Sequence, residues 1–463
     1  YKNFNAGAQS ITSQFINFIF PTSGKEKRVE FLPFQFWGQK KPQYVELKWK
    51  LFESQHFNFY TYGEKNDLLN PLVRIFETYH EHNSKLFGVD NRIRRKIPII
   101  LYRTRRDFSQ THTVPSLVPE SLGGFTEVIS WKRLIFPFEG DKSTFEHVAR
   151  HEGSHVYHVA KKTKYLPLWF IEGSAEMNSI KWDANAETVI RDAYFNNFLF
   201  HLDDLWRISG TWLMYKEGNY IVNYIADRFG EEAIRKTFDN SINYRFKKNI
   251  KRSLGIDYKE LDGAIFAELN DKYGKIAKKK DEVDSSKKIT DGKLLAAYGD
   301  YFITGMYDQG GFELSLNHVD IKRGLITKKI INDGEFGSES LHMLKSRADI
   351  SENQFCFSIQ GRGQDEIRIF DYSYNPKRGS LSLSLNKKLK WENINPIYDP
   401  VFIDENRIAF IGHEGGYANI YIFDISKNAL EQLTDDTNYY KGLDYSKERD
   451  ILVFSKEEER IDK

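Results

Sequence analysis

The residues with the clearest capacity for chemistry form one short run, His151-Glu152-Gly153-Ser154-His155. On an α-helix, positions four apart lie on one face, so both imidazoles can reach the same metal ion. Glu152 then projects from the neighbouring flank, where its carboxylate can accept a proton from water that the metal activates. The run therefore predicts a metal site with its own general base.

A second segment supplies an acidic ligand. A helix is predicted to begin near Pro167, because proline suits the first helical turn, and it carries Glu172 and Glu176 one turn apart. Glu172 would complete a His, His, Glu ligand set around Zn²⁺ and leave one position open for water. Glu176 would accept a hydrogen bond from the distal nitrogen of a ligand histidine. The alternative is an exposed helix face with ordinary carboxylates.

The helix that carries both histidines must be held against a core. Ser143 and Glu146 have the spacing of a capping box, which predicts a helix start about two turns before His151. Gly153 weakens a helix by about 1 kcal/mol relative to alanine, a cost that is tolerable if another segment must approach closely there. The apolar stripe consists of Phe145, Val148, Val156 and Val159.

Other elements are predicted around this helix. Alternating residues indicate two short strands within 48–62, and helical spacing indicates a helix over 69–87. A short apolar run predicts a buried strand over 98–102, and 133–138 is predicted to be a strand whose proline suits a sheet edge. Helices are expected to dominate from 143 to about 268.

The remainder of the chain has a β pattern. Charged residues poor in apolar side chains predict an interdomain linker over 271–293, with a solvated helix end as the alternative for its first half. Beyond it, paired β segments recur at 353–357 with 367–371, at 406–410 with 420–424, and again from 450. Such repeats favour propeller blades over an irregular β-sandwich. At about 45 residues per blade, fewer than four fit, so we expect the natural chain to continue beyond Lys463.

The composition excludes several classes of protein. Among 463 residues, 67 Lys and Arg balance 65 Asp and Glu, so charge gives no reason to expect a nucleic-acid partner. The lone Cys356 excludes an intrachain disulfide and a cysteine zinc site. No run approaches the roughly 18 to 20 apolar residues that span a bilayer. The start at Tyr1 fits either a removed signal peptide or a fragment.

The zinc motifs resemble a known family. His151-Glu152-x-x-His155, followed by a Trp-Phe-Ile-Glu-Gly-x-Ala-Glu segment that ends at Glu176, is similar to the gluzincin metallopeptidases, the group of thermolysin. The resemblance implies that His151, His155 and Glu172 bind zinc. It also implies that Glu152 is the general base and that Glu176 supports a ligand histidine.

The same resemblance extends to the helix expected over 212–230. In smaller bacterial members of this group, a tyrosine of that helix can stabilise the oxyanion. Tyr215 is the candidate here, and Tyr220 lies as near in the sequence. His147 and His158 are near the motif but are not predicted to be ligands. His413 is predicted to lie in a blade turn with a loop role.

The repeat region resembles the TolB-type six-bladed propeller, whose blades carry Ile-Tyr-x-x-Asp segments like 420–424. The order of motifs is similar to that of bacterial TolB-like proteins with an N-terminal peptidase-like region. This resemblance implies a periplasmic or exported protein. It also implies that the propeller binds a substrate or a protein partner.

Together these inferences predict a multidomain α+β chain. An aromatic segment, 1–44, precedes a mixed α/β gluzincin-like metallopeptidase domain, 45–270. The linker, 271–293, then leads to an all-β TolB-like propeller, 294–463, which we expect to be incomplete.

The expected function is that of a zinc-dependent metallopeptidase in which zinc-activated water and Glu152 hydrolyse peptide bonds. A peptide or protein substrate would pair with the strand over 134–138 as an added strand. The alternative is a non-catalytic interaction or scaffold protein with a gluzincin-like fold and a protein-binding propeller. A third reading is zinc held only for stability.

Overall fold

A computed structural model describes most of the chain beyond residue 45. The described residues are 46–63, 69–89, 93–111, 122–127, 133–138, 141–180, 182–277, 289–308, 311–332, 338–342, 345–361 and 363–457. The expected N-terminal segment, 1–44, and the middle of the expected linker, 278–288, lie outside them.

The first part of the chain contains a mixed sheet of five strands in the order β1-β2-β3-β5-β4. The strands are β1 (Lys50–Glu53), β2 (Phe57–Thr61), β3 (Ile97–Tyr102), β4 (Phe125–Glu127) and β5 (Arg133–Pro137). Strands β2, β3 and β5 run parallel, whereas β1 and β4 are antiparallel to their neighbours. The strands expected within 48–62, over 98–102 and over 133–138 are therefore confirmed.

The expected edge position of the strand at 133–138 is wrong. Strand β5 pairs with β3 on one side and with β4 on the other, so it has no free edge for a substrate strand. Pro137 is compatible with this position because it lies at the last residue of the strand, opposite Tyr102. The edge strand on that side of the sheet is β4.

Nine α-helices and one 3-10 helix lie in the described part of the chain. The α-helices are α1 (Leu69–Leu86), α2 (Arg105–Ser109), α3 (Lys142–Lys161), α4 (Leu168–Ile180), α5 (Ala184–Phe195), α6 (Trp212–Phe229), α7 (Glu231–Asn240), α8 (Phe246–Leu254) and α9 (Tyr258–Ala277). The 3-10 helix is Leu205–Ile208. The helical run thus extends to residue 277, into the stretch expected to be a linker.

Helix α3 begins earlier than the capping-box pattern predicts. Its N-cap is Asp141, whose side chain accepts a hydrogen bond from the backbone N–H of Thr144 at 2.9 Å. Ser143 is the second residue of the helix, so its predicted role as the cap is wrong. Aspartate caps a helix as well as serine does, and its charge favours the positive end of the helix dipole.

Glycines determine how closely the helices around the metal centre can pack. A Cβ atom added to Gly173 on α4 would lie 2.3 Å from the carbonyl oxygen of Gly218 on α6. One added to Gly218 would lie 2.3 Å from the carbonyl oxygen of Trp169. Helices α4 and α6 therefore cross backbone to backbone. At Gly153, by contrast, an added Cβ would meet nothing within 4 Å, so the close approach expected there is wrong.

Two alanine substitutions should have opposite effects on stability. Gly153→Ala is expected to raise the free energy of unfolding by about 1 kcal/mol, because it adds helix propensity in open space. Gly173→Ala gains the same propensity but forces α4 and α6 apart, and should lower stability by at least about 1–3 kcal/mol. Urea unfolding of the metal-free proteins measures both. Equal effects at the two positions would contradict the close crossing.

Beyond residue 289 the described chain forms four separate antiparallel sheets. The first contains β6 (Lys293–Tyr298), β7 (Tyr301–Asp308), β8 (Gly311–Asp320) and β9 (Gly324–Asn332). The second contains β10 (Ser338–Leu341), β11 (Asp349–Ile350), β12 (Gln354–Gly361), β13 (Gln364–Asn375) and β14 (Ser380–Leu389). The third contains β15 (Ile397–Phe402), β16 (Arg407–Glu414), β17 (Tyr417–Asp424) and β18 (Ala429–Gln432), and the last pairs β19 (Tyr439–Ser446) with β20 (Ile451–Glu457).

The sequence repeat corresponds to a repeated hairpin. Strands β12 and β13 begin their register with Gln354 opposite Asp371, and strands β16 and β17 with Arg407 opposite Asp424. Neighbouring sheets share buried cores, so the sheets pack one against the next. His413 lies at the end of β16 and is 1% exposed, so the loop role expected for it is wrong.

The chain is a mixed α/β protein with several separate sheets, and none of the described sheets closes into a barrel. The helical core packs α3, α4 and α6 against the mixed sheet, which positions the two segments with candidate ligands. Within the described ranges, no helix is both long and apolar enough to cross a lipid bilayer.

Candidate metal centre

The structure brings the three expected ligands together. His151 and His155 lie one turn apart on α3, and Glu172 lies on α4. The Nε2 atom of each histidine is 3.3 Å from Oε2 of Glu172, and the two Nε2 atoms are 3.3 Å apart. Among the described residues, this is the one group of at least three His, Cys, Asp or Glu side chains whose candidate ligand atoms all lie within 4.8 Å of one another.

The burial and bonding of Glu172 fit a metal ligand. Its side chain is 0% exposed, and neither carboxylate oxygen has a hydrogen-bond partner. Burial alone would raise the pKa of Glu172, but the imidazoles of His155 and His151 hold it well below its usual range. An ionised, buried carboxylate with unused lone pairs is costly unless a cation faces it. Two imidazole nitrogens and one carboxylate are a ligand set that suits zinc.

The carboxylate of Glu176 lies behind His151, as expected. Oε1 of Glu176 is 3.0 Å from Nδ1 of His151, and Oε2 accepts a hydrogen bond from Nζ of Lys216 at 2.5 Å. Burial opposes ionisation of Glu176, but His151 and Lys216 lower its pKa to about 2. A charged acceptor on the distal nitrogen fixes the ring of a ligand histidine and raises its basicity.

Nδ1 of His155 is the start of a series of uncharged hydrogen-bonding groups that the sequence did not predict. Nδ1 of His155 is 3.3 Å from Nδ1 of His158, whose Nε2 is 3.2 Å from Oγ of Ser174. Ser174 in turn donates to the carbonyl oxygen of Ile171 at 2.8 Å. If Nε2 of His155 faces a metal, its Nδ1–H donates to His158, which must then carry its own proton on Nε2. Burial holds the pKa of His158 well below its usual range, which keeps it a neutral acceptor.

His158→Phe should therefore weaken metal binding by about 10- to 100-fold, the usual cost of losing an outer partner. The phenyl ring can occupy the same place, because His158 already stacks on Phe238 at 5.0 Å. Chelator competition measures the dissociation constant. Ser174→Ala leaves the contact between His155 and His158 in place, so it should weaken metal binding less than His158→Phe does. Metal affinity equal to that of the wild type in His158→Phe would contradict the role of His158 in supporting His155.

Glu152 lies beside the ligands on the same helix. Its side chain is buried, and burial raises its pKa. The hydroxyl of Thr126, on edge strand β4, lies 2.8 Å from Oε2 of Glu152 and 2.7 Å from its backbone carbonyl oxygen. Thr126 thus holds the carboxylate in place from the sheet. Sequence reasoning assigned Thr126 no role, because its strand has only three residues.

The two tyrosine candidates occupy different places. The ring of Tyr215 stacks on that of His151 with centroids 6.0 Å apart. The hydroxyl of Tyr220 donates to Oε1 of Glu268 on α9 at 2.7 Å, so Tyr220 serves helix packing. His147 and His158 are not members of the three-residue ligand group found among the described residues.

Comparisons with known proteins give only distant likenesses. No family model matches the chain, and no curated protein matches it. TolB from Acinetobacter baumannii is a structural neighbour with 12% identity over 34% of both chains and a TM-score of 0.25. A puromycin-hydrolysing peptidase from Mycobacterium tuberculosis has 9% identity over 35% of this chain and 33% of its own, with a TM-score of 0.17. A puromycin hydrolase has 11% identity over 34% and 31%, with a TM-score of 0.16.

These comparisons contradict the expected function. The peptidase and the hydrolase among these neighbours are named for puromycin, and no zinc peptidase is among them, so the prediction of a zinc-dependent metallopeptidase is wrong. The comparisons also give no support for the gluzincin-like fold that the scaffold alternative needs. The chain spans about a third of the length of these neighbours.

Proposed function

We propose that this chain is a metal-dependent hydrolase with one divalent cation, zinc by ligand type, held by His151, His155 and Glu172. The observation that carries the proposal is the buried convergence of these three side chains, with both oxygens of Glu172 lacking a hydrogen-bond partner. When bound, such an ion lowers the pKa of a water ligand and polarises the bond to be cleaved.

The residues of the chain then have distinct roles. Glu152 accepts and returns a proton, a task for which a raised pKa is suited because the group must exchange its proton near working pH. Thr126 orients Glu152 through its hydroxyl. Glu176 and His158 fix the two imidazole rings. We assign to Tyr215, whose ring stacks on His151, the stabilisation of developing negative charge on an oxygen atom.

We also propose that the antiparallel sheets beyond residue 289 are blades of a β-propeller. The repeated hairpin register and the serial packing of neighbouring sheets support this reading. In the proposed organisation, the metal-binding domain runs to the end of α9 at Ala277, beyond the expected boundary at 270, and the blades begin with β6 at Lys293. The blades would bind a substrate or a protein partner of an exported or periplasmic protein.

Metal analysis combined with a simple hydrolysis assay tests the proposed function. Purified protein should contain about one zinc per chain, lose it to a chelator, and regain it on addition of zinc. Hydrolysis of p-nitrophenyl acetate, a general probe of activated water, should be lost when the zinc is removed and should return when zinc is added. A protein that binds no divalent metal, or whose hydrolysis is unchanged by the chelator, would refute the proposal.

A further inference from the structure

Lys216 is a buried cation next to the metal centre. It lies on α6 with its side chain 2% exposed, and its ammonium group is 4.3 Å from the ring centroid of Trp212. Its carboxylate partner is Glu176, at 2.5 Å. A buried ammonium group is unfavourable unless it is paired, so this contact determines where both side chains lie.

Two carboxylates contact the same histidine. Glu172 and Glu176 lie one turn apart on α4, and each contacts a different nitrogen of His151, at 3.3 Å from Nε2 and 3.0 Å from Nδ1 respectively. A buried carboxylate with no counter-ion is strongly attracted to a nearby divalent cation. Glu176 could then become a fourth protein ligand and occupy the position that a catalytic site keeps open.

Lys216 distinguishes between the two carboxylates. Its ammonium group bonds Glu176, whereas the oxygens of Glu172 have no hydrogen-bond partner. Besides His151, the basic side chain recorded near Glu176 is His147, whose Nε2 lies 4.0 Å from Oε1, beyond hydrogen-bond distance, whereas Nζ of Lys216 is hydrogen-bonded to Oε2 at 2.5 Å.

The helix crossing explains how Lys216 reaches this position. Gly218, two residues further along α6, contacts α4 so closely that an added Cβ would collide with the carbonyl of Trp169. This contact brings the preceding turn of α6 against the C-terminal half of α4. The lysine therefore enters the site from a helix that supplies no ligand.

We propose that Lys216 is a positioning residue that holds Glu176 away from the metal and so keeps one coordination position open. The inference rests on the proposed function, since it requires a metal ion at His151, His155 and Glu172. It assigns Lys216 no contact with the metal or with a substrate. Its effect should be visible in the metal's coordination as well as in turnover.

The test is azide binding to the cobalt-substituted full-length chain, followed by visible absorption. Wild-type protein should bind azide at the open position with a change in its spectrum. Lys216→Met should lose azide affinity by at least about tenfold, because Glu176 becomes a ligand. The double variant Lys216→Met/Glu176→Gln should regain azide binding, since the competing carboxylate is gone. Lys161→Met is the control, as Lys161 is equally buried but pairs with Asp239.

The outcomes separate this inference from the proposed function. If wild-type protein binds no cobalt, the proposed function fails. If it binds cobalt and azide, but Lys216→Met binds azide equally well, the role of Lys216 is overturned. If Lys216→Met does not fold by circular dichroism, Lys216→Arg and Lys216→Gln replace it. Arginine should keep azide affinity and glutamine should reduce it, and equal affinities would again overturn the proposal.

Discussion

Glu152→Gln should reduce the hydrolysis of p-nitrophenyl acetate by about a hundred- to ten-thousand-fold, the range that a positioned general base contributes. Glutamine keeps the size of the side chain and can still accept a hydrogen bond from Thr126, but it cannot take a proton. Because Glu152 is not one of the three ligands, the variant should keep about one metal per chain. Steady-state kinetics with elemental analysis of the same sample measures both quantities.

The control for this prediction is Glu146→Gln, on the same helix. Glu146 pairs with Arg150 at the protein surface, away from the ligands, and its loss should leave turnover near that of wild type. The pH dependence gives a second readout. Because burial raises the pKa of Glu152, the acid limb of the wild-type rate profile should lie above the usual range of a glutamate. Undiminished turnover in Glu152→Gln would exclude its role as base.

Glu172→Gln should weaken metal binding by more than the roughly 10- to 100-fold that loss of an outer partner costs. The substitution removes the one anionic ligand, and with it the charge that attracts the cation to a fully buried site. Glu176→Gln is the matched control, since it makes the same change one turn later and removes only the support of His151. Its loss of affinity should remain within that 10- to 100-fold range.

Competition with a chromophoric chelator gives the dissociation constants of both variants. We expect metal binding to be tightest in the wild type, weaker in Glu176→Gln and weakest in Glu172→Gln. The reverse order of the two variants would mean that Glu176 is the ligand. Such a result would also remove the basis for the role of Lys216.

The convergence of His151, His155 and Glu172 could be predicted from the sequence because it depends largely on local geometry. The i, i+4 spacing of His151 and His155 follows from the helix itself, and the segment with Glu172 forms a helix from its own composition. Placing Glu176 one turn after Glu172 follows from the same periodicity. The helix start was predicted two residues late, because Asp141 and Ser143 are both competent caps and the sequence alone does not rank them.

The surroundings of the ligands depend on contacts between distant segments. Thr126 belongs to a strand of only three residues, too short for an alternation signal, and the addition of this strand to the sheet is what makes β5 internal. Lys216 reaches Glu176 across a helix crossing that neither local pattern contains. The glycine that close packing requires is Gly173, whereas an added Cβ at Gly153 would meet nothing within 4 Å.

The prediction of a zinc-dependent metallopeptidase was wrong because the choice of substrate went beyond what local geometry can indicate. Pattern and periodicity predict a metal-binding constellation, whereas the choice of the peptide bond as substrate came from family resemblance, which the comparisons contradict. The β repeat gave correct hairpins at both repeat positions because alternation and glycine turns are local signals. The number of blades depends on how the sheets are arranged, which no local signal determines.

The most direct test of the central claim is a crystal structure of the zinc-soaked protein with anomalous diffraction recorded on both sides of the zinc absorption edge. We expect a single strong anomalous peak within about 2.0–2.2 Å of His151 Nε2, His155 Nε2 and a carboxylate oxygen of Glu172. Absence of a peak there in fully soaked crystals, or a peak bound by Glu176 in place of Glu172, would contradict it.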